Sequence, residues 1–226
     1  MSATKELKFE TFDDWLSGRR GLITGSRVKS LSSNPRSQTF NEETWALIAE
    51  RMTDEDARDG IEWRNDMERG HYLEDEAMRA IAQQLNVPII RMNTIIWIKG
   101  NIGISPDGSN QDKTVLYETK CLASKNHLKY ILGNKFAEKP AQNVVHEKTG
   151  IPLEYVDQVV HAFIANDKLE KHVFGLYDPR FRDEKLRLKV ITTTREDWAD
   201  EIAKNNDIIE KTETNLKTIE EAINEL

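Results

Sequence analysis

Cysteine is almost missing from this chain: Cys121 stands alone among 226 residues. A lone thiol excludes an internal disulfide framework and a cysteine-based metal clip, so Cys121 is expected to be a small buried hydrophobe beside Glu118 and Lys120. Long apolar runs are missing too. Nothing approaches the roughly 18 consecutive apolar residues of a membrane span, and the start, MSATKELKFE, lacks the charged-then-apolar pattern of a secretion signal. The expectation is a cytoplasmic protein with no membrane partner. The histidines, His71, His127, His146, His161 and His172, form no zinc pair at the usual spacing. No Gly-x-x-x-x-Gly-Lys-[Ser/Thr] segment occurs, so ATP is not implied. Repeats and low-complexity linkers are also lacking, and residues 1–226 are read as one domain.

What is present is the composition of a globular protein, 38% hydrophobic and 31% charged. A net charge of −7 speaks at first against a nucleic-acid partner. Its distribution reverses that. Residues 194–226 hold ten acids and four bases, and removing their −6 from the total of −7 leaves only −1 for residues 1–193. From Trp15 to Phe40 there is no Asp or Glu, against five bases, Arg19, Arg20, Arg27, Lys29 and Arg36, among many Ser and Thr. Such a stretch suits phosphate oxygens, which accept charge-assisted bonds from Arg and further bonds from hydroxyls and backbone N–H groups. A solvated basic loop is the plainer alternative.

Hydrophobic spacing predicts two or three helices near the N-terminus, one with Phe12, Trp15 and Leu16 on a face and one with Trp45, Ile48, Ala49 and Met52. Arg69–Gln84 reads as a helix with Leu73, Ala77, Ala80 and Ile81 inward. Past Pro88 the period changes. Ile89–Lys99 is rich in β-branched residues and reads as a strand, Gly100–Gly108 as strand and turn, and Val115–Lys120 as a second strand. Helices are expected at Lys125–Leu132 and Leu153–Ile164, and strands near His172–Tyr177 and Leu186–Thr193. Thr194–Leu226 reads as one long helix with Ile202, Ile209, Leu216 and Ile223 seven apart, although Asn205 and Thr212 weaken it as a coiled coil and favour packing on its own body or a neighbour. The order is mixed α/β with a sheet in the middle.

The chemistry concentrates in NIGISPDGSNQDKTVLYETK, residues 101–120. A turn ending in Asp107 and a returning strand bearing Glu118 and Lys120, two apart and hence on one face, bring two carboxylates and an ammonium together. Adjacent carboxylates repel unless a cation neutralises them, and hard oxygen donors with open positions suit Mg²⁺ and substrate phosphate. The bland account is a common Pro-Asp-Gly turn and a wet Glu-x-Lys stripe. On spacing alone the two stand level.

Ile104-Ser105-Pro106-Asp107-Gly108 followed by Glu118-Thr119-Lys120 resembles the core motif of the PD-(D/E)XK nucleases, in particular the phage lambda-type alkaline exonucleases, or YqaJ-like viral recombinases. Arg19-Arg20-Gly21-Leu22-Ile23-Thr24-Gly25-Ser26 is similar to the family segment that lies on the DNA's 5′-phosphate. Gly70-x-x-x-Glu74-x-x-Ala77 is similar to the helix whose Glu reaches the metal site, Gln158 falls where the family has a Gln, and Tyr177-Asp178-Pro179-Arg180 with an acidic last helix resembles the lambda-type end. Gly25 stands where relatives often carry Ala, a departure expected to be harmless, and the polar loop Gly108–Tyr117 is expected to leave the hairpin tip mobile.

The resemblance implies a restriction-endonuclease-like PD-(D/E)XK core of class α/β (α+β), a central mixed sheet flanked by helices. Asp107, Glu118, Glu74 and the Thr119 carbonyl are the implied metal ligands, Lys120 orients or activates water, Arg19, Thr24 and Ser26 hold a 5′-phosphate, and Gln158 supports the ligands. The implied cofactor is Mg²⁺, with Mn²⁺ as a substitute and two ions per site. The implied activity is 5′-to-3′ digestion of double-stranded DNA ends by a ring-shaped homotrimer, giving 3′ tails to a single-strand annealing protein. The alternatives are an endonuclease or single-strand-acting nuclease on the same core, and a non-catalytic DNA-binding protein. Trp63, Trp97 and Trp198 are expected in core or interface rather than stacked on bases, with DNA contact the alternative for Trp63 in its charged segment.

Overall fold

The computed structural model describes residues 3–32, 42–53 and 65–225, with residues 65–71 as backbone only. In chain order the elements begin with β1 (Lys5–Lys8), α1 (Phe12–Ser17), β2 (Ile23–Thr24), α2 (Gly25–Ser32), α3 (Glu42–Met52) and α4 (Asn65–Leu85). They continue with β3 (Ile90–Arg91), β4 (Ile95–Lys99), β5 (Ile102–Ile104), β6 (Gly108–Ser109), β7 (Val115–Lys120) and α5 (Ser124–Leu132). Last come α6 (Val156–Ala165), β8 (Lys171–Tyr177), β9 (Leu188–Thr194) and α7 (Ala199–Asn224). Trp63 lies outside the described residues, and Arg36 with it.

The strands form two mixed sheets, one ordered β1-β4-β5-β2 and one β3-β6-β7-β8-β9. The second is the central sheet, with β7 parallel to β8 and every other pair antiparallel. Two predicted strands divide for local reasons. The run 89–99 breaks at Thr94, whose φ of 56° turns the chain so that β3 joins one sheet and β4 the other. Pro106, with no N–H to donate, separates β5 from β6, so the hairpin that carries Asp107 is β6–β7 and not β5–β7. Its tip is pinned, contrary to expectation: Asn110 accepts from Val115 N–H at 2.9 Å, Asn166 donates to Lys113 O at 2.9 Å, and Lys113 pairs with Glu6 at 2.5 Å.

The core is built around α6, whose residues from Val159 to Ala165 are all buried, an all-round apolar helix of the kind that sits between layers. Trp97 and Trp198 belong to that core. α7 lays Asn205, Ile209, Thr212, Leu216 and Ile219 inward, and its polar pair is satisfied locally: Asn205 donates to Asp157 at 3.2 Å and Thr212 to Ile208 O at 2.8 Å. The stripe therefore packs on its own body. A fully buried Leu216 contributes roughly 1.5–3 kcal/mol to that docking. α3 turns a different face inward from the one its spacing predicts: Thr44, Leu47, Ile48 and Glu50 are buried, while Trp45 and Met52 are exposed. Glu50 goes inward because Arg27 and the Gly21 N–H hold its carboxylate. Among the described residues, no helix is long and apolar enough to cross a membrane.

Candidate active site

The site is built on β7, whose β-branched and aromatic residues lie between β6 and β8. The two-residue period sends Glu118 and Lys120 to one face, towards α6. There Lys120 Nζ donates to Glu118 Oε1 at 2.6 Å, Gln158 Nε2 donates to the same oxygen at 2.7 Å, and Lys120 sits 5.3 Å from the Tyr155 ring. Asp107 lies just before β6, across from the end of β7. Its Oδ2 accepts from the Thr119 N–H at 2.8 Å, so a site carboxylate also ends the sheet ladder. Glu74 reaches in from α4 and accepts from Arg91, whose Nη1 donates to the Asp107 carbonyl at 2.9 Å. Glu74, Asp107, Glu118, Thr119, Lys120 and Gln158 line one open cleft of about 590 Å³.

These charges strain against their surroundings. Burial, and then the charge of Glu74, pushes Asp107 up to about 6, although Lys120, the Thr119 N–H and Arg91 pull the other way. Burial, and then Asp107, pushes Glu118 up to about 7. Burial opposes the Lys120 charge, but Glu118, Asp107 and Glu74 outweigh it and hold the ammonium above its ordinary value. A buried carboxylate and a half-buried one whose ionisation is opposed, each with one oxygen already fixed by a donor, are what a hard divalent cation would relieve. Among the described residues no three His, Cys, Asp or Glu form a ready-made cage. Mg²⁺ does not require one, because it keeps several waters and fills its octahedron with substrate oxygens. The donor set fits that ion.

The far side of the same cleft carries Arg19, Thr24 and Ser26. Arg19 lies over the Trp15 ring at 4.6 Å, and Trp15 Nε1 donates to Ser105 Oγ at 2.6 Å. Thr24 is buried at the end of β2, and its hydroxyl stands 3.1 Å from that of exposed Ser26 in the first turn of α2. Arg27, counted above among the phosphate-suited bases, is not available to a ligand. It is 3% exposed and paired with Glu50 at 2.5 Å and Glu43 at 3.1 Å. Gly25 is also other than expected, since a Cβ there would lie 2.8 Å from Gln158 Cα and 3.1 Å from His161 Cβ. The bare glycine lets α2 rest directly on α6, so the departure from Ala is a packing requirement and not a neutral change.

A model of the YqaJ-like viral recombinase domain matches residues 14–168. The chain belongs to that family. The matched span includes every residue predicted for the site and ends before β8, β9 and α7. In fold the YqaJ-like chain is similar to an alkaline exonuclease, LHK-Exo from Laribacter hongkongensis, at TM-score 0.63 and 23% identity over 94% of this chain and 98% of that one. The same exonuclease in complex with dAMP gives 0.63 and 22% over the same shares. A phage-related exonuclease from Haemophilus somnus 129PT gives 0.59 and 12% over 90% and 96%. No curated protein matches the chain by sequence.

Of the neighbours of Glu74 within the YqaJ-like site, Asp75 shares Arg91 with it at 3.0 Å, and Glu76 turns away to accept from Tyr177 at 2.6 Å. His161 is a core histidine, wholly buried with Nε2 2.9 Å from Ile23 O, and burial lowers it to about 4. Cys121 is buried and lines the cleft. Sequence reasoning missed Arg91, Tyr155, Trp15 and Ser105 as site neighbours. Arg91 had a signal, a cation in the interior of a predicted strand rich in apolar residues; the other three are half-buried residues whose role exists only in the folded arrangement.

Proposed function

We propose that residues 1–226 act as a single nuclease domain, a Mg²⁺-dependent exodeoxyribonuclease that digests double-stranded DNA 5′ to 3′ in the cytoplasm of the host cell and leaves 3′ single strands. The observation that carries this reading is that Glu74, Asp107, Glu118 and Lys120 share one cleft with Arg19, Thr24 and Ser26. Family membership and the fold shared with alkaline exonucleases support it.

Asp107, Glu118 and Glu74, with the Thr119 carbonyl, would hold two ions, Mg²⁺ or Mn²⁺ in its place. Bound there, they would neutralise the phosphate and ease ionisation of the attacking water. Lys120 keeps its charge between the carboxylates and stabilises the negative charge that grows on the phosphate oxygens. Gln158 fixes the orientation of Glu118. Arg19, stiffened by its stack on Trp15, and the Thr24 and Ser26 hydroxyls take the terminal 5′-phosphate. Water forms the new O–P bond, the P–O3′ bond breaks, and a 5′-mononucleotide leaves. The next nucleotide then carries the 5′-phosphate, so each turnover recreates the group that the Arg19–Ser26 segment binds. A ring-shaped homotrimer would keep the enzyme on its track between turnovers, and a single-strand annealing protein would receive the 3′ tail.

The test is nucleotide release from linear duplexes with 5′-phosphate or 5′-hydroxyl ends, with Mg²⁺ or chelator, beside closed circles. Metal-dependent loss from phosphorylated ends, abolished in Lys120→Ala, is the expected outcome. Cutting of closed circles would replace this reading with an endonuclease on the same core.

A further inference from the structure

The segment that lines the cleft from Arg19 to Ser26 has few regular hydrogen bonds of its own, since β2 is two residues long and its neighbouring turn depends on Gly21 at φ 65°. Ile23 is held by the Asn101 carbonyl at 2.7 Å and by pairing with β5, and the turn at Gly21 is held from α3. Glu50 Oε2 accepts from the Gly21 N–H at 2.8 Å, and Glu50 Oε1 accepts from Arg27 Nη2 of α2 at 2.5 Å. From the next residue, Arg51 Nε donates to the Gly21 carbonyl at 3.1 Å. Both polar groups that flank one glycine are thus held by consecutive residues of another helix. Glu43 adds a second carboxylate to Arg27 at 3.1 Å. Arg51 is in turn flanked by Glu213 at 3.8 Å and Glu220 at 3.6 Å on α7.

A buried ion pair is a poor way to gain stability, because desolvating both charges offsets their attraction and an apolar pair of similar volume often serves as well. Its geometry is worth more. Glu50 and Arg27 are each 3% exposed and neither lines the cleft, yet together they tie the turn before β2 to the helix after it. Resting on the proposed end-phosphate role of Arg19 and Ser26, we propose that Arg27, Glu50 and Arg51 are positioning residues that hold the Gly21 turn and so set the preference for phosphorylated ends. They touch no substrate. Their effect passes through the backbone on which Arg19, Thr24 and Ser26 are mounted, and misplacing such groups by about 1 Å costs up to about a hundredfold in rate.

The experiment compares initial rates on 5′-phosphate and 5′-hydroxyl duplexes for wild type and for Arg27→Met/Glu50→Leu, with melting temperature and amide exchange of residues 19–24 measured alongside. The double variant is expected to stay folded, to exchange the Gly21 amide faster, and to lose the preference by at least about tenfold while its rate on hydroxyl ends is unchanged. Glu50→Gln, which keeps an acceptor for Gly21, should restore most of the preference. If the folded double variant keeps the wild-type preference, or loses both substrates equally, the inference is wrong. A wild-type enzyme that treats both ends alike would instead remove the end-phosphate reading, and this inference with it. Should the double variant fail to fold, Arg51→Met, nearer the surface, takes its place in the same comparison: a lost preference supports the inference and a retained one overturns it.

Discussion

Glu118 shows how a single side chain couples charge to stability and, on the proposed mechanism, to metal affinity. Its carboxyl is held up at about 7, above its ordinary 4.5, by burial and by Asp107. The folded state therefore binds this proton more tightly than the unfolded chain does. The stability so gained is fully present below pH 4.5 and is lost as pH rises through 7. Glu118→Gln should thus stabilise the metal-free protein by about 1–3 kcal/mol at pH 8 and by little at pH 4.5, measured by denaturant unfolding. The same proton competes with a cation. Thermal stabilisation of wild type by Mn²⁺ should grow between pH 6 and pH 8, and a shift independent of pH would mean that the ion binds elsewhere. Lys120→Ala should remove cleavage and, because its ammonium bonds the Glu118 carboxylate at 2.6 Å, lower the stability of the metal-free protein at pH 8 by about 1–3 kcal/mol without unfolding it, measured by denaturant unfolding.

Among the elements, the join between α2 and α6 constrains the site through backbone contact. Gly25→Ala would press a methyl against the Gln158 backbone, which cannot yield as a flexible side chain does. A loss of about 1–3 kcal/mol is expected on thermal denaturation. Activity should fall more than stability, since Gln158 itself would move. This constraint was invisible to sequence reasoning, as a glycine's neighbours are known only once two helices meet. What was legible were features with a local cause. The 3.6-residue period marked α4 and α6, β-branching marked β7, and the period of two put Glu118 beside Lys120. Family resemblance added Glu74, which would otherwise read as a surface acid next to Asp75 and Glu76. The assignment of β3, β4, β5 and β6 to two sheets was not legible, because it turns on one left-handed residue, Thr94, and one missing N–H, at Pro106. The inward face of α3 was missed because it is set by a buried Glu50 that hydrophobic periodicity scores as outward.

At the scale of the molecule, charge is partitioned. Residues 194–226 carry −6 of the total −7, and no described residue of α7 lines the cleft. A polyanion is therefore repelled by the helix that packs behind α6 and meets a nearly neutral remainder, where Arg19 stands at the cleft wall. Neutralising exposed acids at this end of the chain (Asp200→Asn, Glu210→Gln and Glu225→Gln together) should strengthen non-specific duplex binding at low salt and leave the rate of end digestion unchanged. Anisotropy titrations at two ionic strengths decide this; no change in affinity would mean that α7 exerts no field where DNA approaches.

The bond from the Thr119 N–H to Asp107 has an evolutionary corollary. On the proposed mechanism Asp107 both serves the reaction and closes the ladder between β6 and β7, whereas the Lys120 ammonium serves the reaction and pairs with another site side chain, Glu118. A lineage relieved of selection for cleavage would shed Lys120 early and keep Asp107 long after it had stopped mattering to catalysis. In an inactive descendant, a surviving aspartate at this position would record the architecture of the sheet and not the memory of a reaction.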